Sequence, residues 1–146
     1  MSSIRTLTSA DFEPLVALLE ANDLDPSDLH RDDMPAFVGA FAEGALIAAG
    51  GLHQFDRCGW LRSLVTAPEA RSRGLAGEIL AALETHAGEA GVESVFLLTD
   101  TATRFFQRRG FTLTDRATAP PAIRTTEQFA SLCPDSADFM CKTLAE

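Results

Sequence analysis

The sequence predicts a mixed α/β domain of the α+β kind, and three observations predict it. Strand-like runs over residues 37–42, 45–55 and 60–66 are separated only by the short turns Glu43-Gly44 and Asp56–Gly59, which is how antiparallel neighbours are joined. A helical pattern over Leu75–Ala90 then leads into the strongly apolar run Val92–Leu98, the signature of a crossover to a buried strand. The chain is 146 residues long with 46% hydrophobic and 23% charged residues, a length and balance suited to one globular domain spanning 1–146.

Taken in order, Ile4–Leu7 is a short first strand. Thr8 or Ser9 caps a helix whose first turn carries Asp11 and Glu13, with Phe12, Leu15, Val16, Leu18 and Leu19 at helical spacing. Pro14 is tolerated because it lies near the helix start. The acidic stretch Asp23–Asp33 is a loop or short helix, and the three strand runs follow, the last ended by Ala67-Pro68. Leu75–Ala90 places Ile79, Leu80 and Leu83 on one face and stops at Gly91. Val92–Leu98 is a strand, Thr101–Arg109 a helix ended by Gly110, and Phe111–Thr114 a strand. Thr118–Pro121 is a linker, Ala122–Leu132 a helix and Phe139–Leu144 a last strand.

The formal charge is −9, which disfavours nonspecific binding to nucleic acid or to an anionic membrane. Residues 101–124 run against that trend, with Arg104, Arg108, Arg109, Arg116 and Arg124 against the single acid Asp115, a local +4 suited to an anion. No apolar run approaches the roughly 20 residues that span a bilayer, and no basic start precedes an apolar stretch, so a cytoplasmic location is the expectation. Cys58, Cys133 and Cys141 are an odd number without a close pair, which implies neither a disulfide framework nor a zinc motif, and no metal is expected.

The segment from Thr66 to Ala76 joins a strand to a helix. Gly74 permits positive φ and close approach of a ligand, and residues 72–76 present unpaired amides at a helix N-terminus, a site that favours phosphate. Arg71 and Arg73 add charge. The pattern is neither a Walker loop nor the three-glycine dinucleotide fingerprint.

The run Leu64-Val65-Thr66-Ala67-Pro68, with Arg71 and Gly74-Leu75-Ala76, resembles the acetyl-CoA signature of the GNAT N-acetyltransferase superfamily. Phe106 followed by Gly110-Phe111 is similar to its second hallmark, so that the resemblance covers Ile4–Phe111. It implies a mostly antiparallel sheet of about seven strands, split in a V between the fourth and fifth and flanked by helices. It also implies acetyl-CoA as co-substrate, its pyrophosphate on the amides of Arg71, Ser72, Arg73, Gly74, Leu75 and Ala76, and its pantetheine alongside Leu64, Val65 and Thr66. A homodimer is expected on the same ground. Residues 119–124 and 128–137, Met140, Lys142 and the run Leu61-Arg62-Ser63 resemble, more narrowly, a branch linked to arsenic resistance.

Acetyl transfer to an amine requires a deprotonated amine, a polarised thioester carbonyl and a proton for the leaving thiolate. By resemblance the backbone amide of Leu64, with Val65 second, polarises the carbonyl. The family often carries a tyrosine acid where this chain has Phe106, and the chain has no tyrosine at all, so water or the acceptor's own ammonium supplies that proton. Thr99 stands where an asparagine is common, with a hydroxyl available to pantetheine or water.

His53 has the pKa of a general base and shares a strand face with Gly51 and Phe55, against the alternatives of a structural histidine or a water chain. Arg62, set among apolar neighbours, either pairs a nearby carboxylate or clamps a substrate carboxylate. Arg124 opens a helix resembling a lid and is the second candidate for acceptor recognition. These features point to acetylation of a small, anionic or amino-acid-like amine. The alternatives are a protein or peptide amine acceptor, a non-catalytic acetyl-CoA-binding module, and a metalloid-binding thiol protein using the three cysteines.

Overall fold

The computed structural model describes residues 3–126, 129 and 137–144. Its elements are β1 (Ser3–Thr6), α1 (Phe12–Ala21), β2 (Phe37–Ala42), β3 (Ala45–Phe55), β4 (Cys58–Thr66), α2 (Leu75–Glu89), β5 (Ser94–Thr99), α3 (Thr103–Gln107), β6 (Thr112–Leu113), α4 (Pro121–Arg124) and β7 (Asp138–Thr143). The strands lie in the order β1-β2-β3-β4-β5-β7-β6. β1/β2, β2/β3, β5/β7 and β6/β7 pair antiparallel, and β4/β5 pair in parallel, the connection that needs α2 as a crossover. The β4/β5 ladder runs from Cys58↔Ser94 to Trp60↔Phe96, three pairs in all. This is the mixed α+β sheet that the sequence predicts.

Turn chemistry fixes the hairpins. Glu43 and Gly44 both take positive φ (51° and 81°), the two-residue turn whose twist suits antiparallel neighbours. Asp56, at φ 59°, opens the two-residue link from β3 to β4, so β4 starts at Cys58, two residues earlier than its hydrophobic pattern suggests.

The chain forms two compact units: Met1–Leu52 with Arg62–His86, and His53–Leu61 with Ala87–Glu146. In the first, Leu15, Leu19, Met34, Phe37, Ile79 and Leu80 are buried. Adjacent glycines on β3 admit packing on both sheet faces there. A Cβ on Gly50 would stand 2.9 Å from Leu64 and 3.2 Å from Ile79, and one on Gly51 would stand 2.5 Å from the Phe37 ring.

The second unit has an aromatic core of Trp60, Ala119, Ile123 and Phe139, with Phe55, Phe96, Leu98 and Phe129 against it. Phe96 stacks on Phe139 at 5.7 Å, and Phe129 meets Phe139 edge-on at 5.4 Å. Val95 and Leu97 bury the opposite face of β5, as the apolar run predicts.

Several elements are shorter than expected, among them α3, which keeps Thr103–Gln107 of the expected Thr101–Arg109. β5 begins at Ser94 because the Glu93 and Ser94 amides both donate to the Arg57 carbonyl at the strand's entrance (2.8 and 3.3 Å). β6 keeps two residues of the expected four. Of the helix expected over Ala122–Leu132, the first turn forms as Pro121–Arg124 and is interrupted at Thr125 and Thr126, whose hydroxyls donate to the carbonyls of Ala122 and Ile123, the local competition that disfavours helix continuation. Residues 127, 128 and 130–132 of that expected helix lie outside the described residues, as does Cys133. Among the described residues, no helix is long and apolar enough to cross a membrane.

Candidate functional site

β4 runs into a loop whose backbone is unusual. Ala67 closes the strand by donating to the Ile47 carbonyl at 2.8 Å, and Pro68–Ala70 make one tight turn. Ser72 and Gly74 then both take positive φ, 69° and 77°, flanking Arg73. Gly74 caps α2, its carbonyl accepting from the Glu78 amide at 3.1 Å. The amides of residues 72–76 find no backbone acceptor among the described residues, and left-handed residues in such a run turn successive N–H groups into a concavity for an anion. A Cβ placed on Gly74 would meet nothing within 4 Å, so the loop is open to solvent on that side. The residues present therefore fit a pyrophosphate group.

The two cradle arginines also fasten the loop. Arg71 donates through Nη2 to Asn22 Oδ1 at 2.6 Å and through Nε to the Thr66 carbonyl at 3.3 Å, and Arg73 donates to the Glu69 carbonyl at 3.2 Å. Both are exposed.

Just upstream, Ser63 sits at φ 58° in the middle of β4, a left-handed residue inside a strand. Leu64 and Val65, the candidate amide donors, follow it directly. The Leu64 side chain lies on the Gly50 face, and Val65 is buried. Arg62 is paired with Asp28 through both nitrogens of its fork, Nη1 to Oδ2 at 2.6 Å and Nη2 to Oδ1 at 2.8 Å, while Nε donates to Ser63 Oγ at 3.0 Å. The two side chains are 4% and 8% exposed. The edge of Arg62 that would clamp an acceptor carboxylate is thus taken by Asp28, the carboxylate-pairing alternative that the sequence left open.

The remaining candidates belong to the second unit. Thr99 ends β5, and its hydroxyl accepts from the Ala102 amide at 3.0 Å, closing the turn that leads into α3. Phe106 is 5% exposed, packed edge-on against Phe105 (5.1 Å) and Phe111 (5.4 Å). Gly110, at φ 95°, ends the segment after α3 and lets the Phe111 amide return to the Phe106 carbonyl at 3.1 Å. Arg124 is exposed and folds back on its own loop, donating through Nε to the Ala119 carbonyl at 2.9 Å and through Nη2 to the Ala117 carbonyl. His53 is half-buried on β3.

Cys58 and Cys141 are free, half-buried thiols. Burial first, then the carboxylates of Asp56 and Glu93, push the Cys58 thiol up; burial, then Cys58, does the same for Cys141. Raised thiols of this kind are poor nucleophiles. Among the described residues, no three His, Cys, Asp or Glu side chains gather as a metal site would require.

Sequence reasoning missed Asp28 and Asn22, the partners of Arg62 and Arg71. They lie 34 and 49 residues from those arginines, and no local spacing signals either contact.

Such a sheet, with an amide-lined loop between its fourth strand and the following helix, defines a GNAT-type fold. The chain belongs to the Acetyltransferase (GNAT) family, whose model matches residues 1–111. Amino-acid acetyltransferases of Ectopseudomonas mendocina (strain ymp) and Pseudomonas fluorescens (strain Pf0-1) are 35% and 37% identical to it over 71 residues, 47% of this chain. The match spans 16% of those curated relatives' length. Among solved structures, N-acetylglutamate synthase from Neisseria gonorrhoeae, complexed with coenzyme A and N-acetyl-glutamate, aligns with TM-score 0.84 at 22% identity, covering 100% of this chain and 36% of that one. A Mycobacterium tuberculosis protein in complex with CoA aligns with TM-score 0.83 at 19% identity, covering 97% and 98% of the two chains. Ard1 from Thermoplasma volcanium aligns with TM-score 0.76 at 20% identity, covering 99% of each. These likenesses establish the fold.

Proposed function

We propose that this chain is an acetyl-CoA-dependent N-acetyltransferase acting on the primary amine of a small, amino-acid-like acceptor. The observation that carries the reading is the amide run at residues 72–76, with positive φ at Ser72 and Gly74 and open space at Gly74, in a chain of the acetyltransferase family. Those amides would hold the pyrophosphate, Leu64, Val65 and Thr66 would run beside pantetheine, and Thr99 and Phe106 would complete the cofactor contacts. The names of the amino-acid acetyltransferase relatives support the acceptor class.

Acetyl-CoA supplies the activated thioester, and the chain supplies position and polarity. An amide of Leu64 or Val65 donates to the thioester oxygen, where a preorganised donor is worth about 3 kcal/mol. The acceptor nitrogen forms the new bond to the acetyl carbon, the carbon–sulfur bond breaks, and CoA leaves as a thiolate. His53 is the candidate for the amine's proton. The thiolate takes its own from water or from the ammonium, because Phe106 has none to give. Arg124 is the proposed donor to an acceptor carboxylate.

A CoA-thiol release assay tests this against amino acids including glutamate, their phosphorus and arsenic analogues, polyamines and a lysine peptide. Turnover is expected with small anionic amines, and turnover on the peptide alone would move the acceptor to proteins. CoA binding with no thiol release from any amine would make the chain a binding module.

A further inference from the structure

We propose that Asp28, Arg62 and Ser63 form a positioning device that holds β4 kinked at Ser63 and so aims the amides of Leu64 and Val65. It rests on the reading above that one of these amides polarises the thioester.

Four observations carry it. Ser63 takes φ 58° inside the strand Cys58–Thr66, a conformation that L residues seldom adopt and that persists only when the surroundings impose it. Its hydroxyl accepts from Arg62 Nε at 3.0 Å. That guanidinium is planar, and Asp28 grips its other edge at two points, 2.6 and 2.8 Å. With both of those contacts made, the direction of the Nε–H is fixed, and Ser63 Oγ is held to it.

The pair is also buried, at 4% and 8% exposure. A buried ion pair adds little net stability over an apolar pair of similar shape, so stability alone does not explain its presence, whereas fixing one backbone geometry does. All three residues lie in the same compact unit. The peptide linking Ser63 to Leu64 inherits its orientation from Ser63, so a release of the kink rotates the donor that follows. Asp28, Arg62 and Ser63 touch neither substrate in this account and act through the backbone.

Asp28→Asn tests the idea, because it keeps the shape and removes the charge. At a temperature well below unfolding, kcat is expected to fall about tenfold, with KM for acetyl-CoA within twofold, because the cradle is untouched. Backbone chemical shifts of Ser63 and Leu64, which report φ, are expected to move away from the left-handed values. Glycine adopts positive φ without support, so the double variant Asp28→Asn/Ser63→Gly is expected to recover kcat to within about threefold and to return the Leu64 amide shift.

A merely structural ion pair predicts otherwise: Asp28→Asn lowers the melting temperature, leaves kcat alone, and gains nothing from the glycine. Either unchanged Ser63 and Leu64 shifts in the folded variant, or failure of the glycine to restore kcat, overturns the proposal. Should Asp28→Asn not fold, Arg62→Lys is read in the same way, since it keeps the charge and loses the fork and Nε. The shift measurements need no turnover. A wild-type protein that binds CoA but transfers nothing would defeat the proposed function while the shifts still decide the kink.

Discussion

Two stretches of the molecule carry the resemblance to acetyltransferases, and they are built on opposite principles. From Arg62 to Gly74 the backbone is irregular: Ser63 and Ser72 are held in the left-handed region, Gly74 enters it freely, and the amides of residues 72–76 find no backbone acceptor among the described residues. From Phe105 to Phe111 the backbone is regular and the ordered contacts are aromatic, with rings packed edge to face and a single glycine stopping the segment. On the proposed function the first region would offer a ligand its main chain, while Arg62, Arg71 and Arg73 bond to that region's own side chains and carbonyls. In the second, the side chains themselves are the structure. A substitution therefore means different things in the two regions, affecting affinity in one and stability in the other.

The largest expected effect falls on the cradle. Asparagine tolerates positive φ better than other side chains, and nothing lies within 4 Å of the added Cβ, so Gly74→Asn should fold. Its side chain would occupy the space of the phosphate. Losing two charge-assisted hydrogen bonds of about 1.5 kcal/mol each weakens CoA binding about 100-fold or more. Calorimetry that finds unchanged affinity in the folded variant would take the cradle out of the account.

Phe106 supplies the counterpart. Its ring is buried against two others, so Phe106→Ala should cost about 3–5 kcal/mol of unfolding free energy, read from denaturant titration. A variant of undiminished stability that has lost its affinity for CoA would show the ring to be a ligand contact first, and the contrast between the regions would fail there.

Arg124, outside both regions, lies between these extremes, a side chain that holds a loop by its carbonyls yet carries an exposed charge. Arg124→Ala should raise KM for an anionic amine about 10- to 150-fold, the loss of one charged hydrogen-bonded contact, and leave CoA affinity within about twofold. The reverse pattern would assign the arginine to the cofactor.

How far the sequence reveals each region follows from the same contrast. Gly74, Gly91 and Gly110 all take positive φ, and glycine announces that freedom in the sequence; the cradle and the ends of both helical segments were legible for that reason. Ser63 and Ser72 take it too, and serine announces nothing, so the kink in β4 was invisible. Arg62 among apolar neighbours signalled a partner or a substrate, but choosing between them needed Asp28, brought from 34 residues away by the fold. The expected helix after Pro121 is interrupted where Thr125 and Thr126 bond to the preceding turn, a competition that periodicity does not register.

The smallest effect concerns the start of the first unit and separates charge from shape. Asp11 accepts from the Thr8 amide at 2.8 Å and pairs with Arg5 at 2.9 Å. The Arg5 guanidinium, helped by the Thr8 amide and opposed by burial, holds the Asp11 carboxyl below the usual aspartate range. A carboxyl lowered on folding stabilises the protein fully above its unfolded pKa, near 3.9, and that contribution is lost as pH falls through the folded value. Asp11→Asn keeps the size and an oxygen acceptor but cannot titrate. At pH 7 the variant should be about 1 kcal/mol less stable, since Arg5 is half-exposed and solvent screens the pair, which shifts Tm by about 2–4 °C. The gap between wild type and variant should close below pH 4 as the wild-type carboxyl takes up its proton. Melting curves at pH 7 and pH 3 decide it: an equal gap at both would mean that Asp11 acts by shape and hydrogen bonding alone, with its charge contributing nothing.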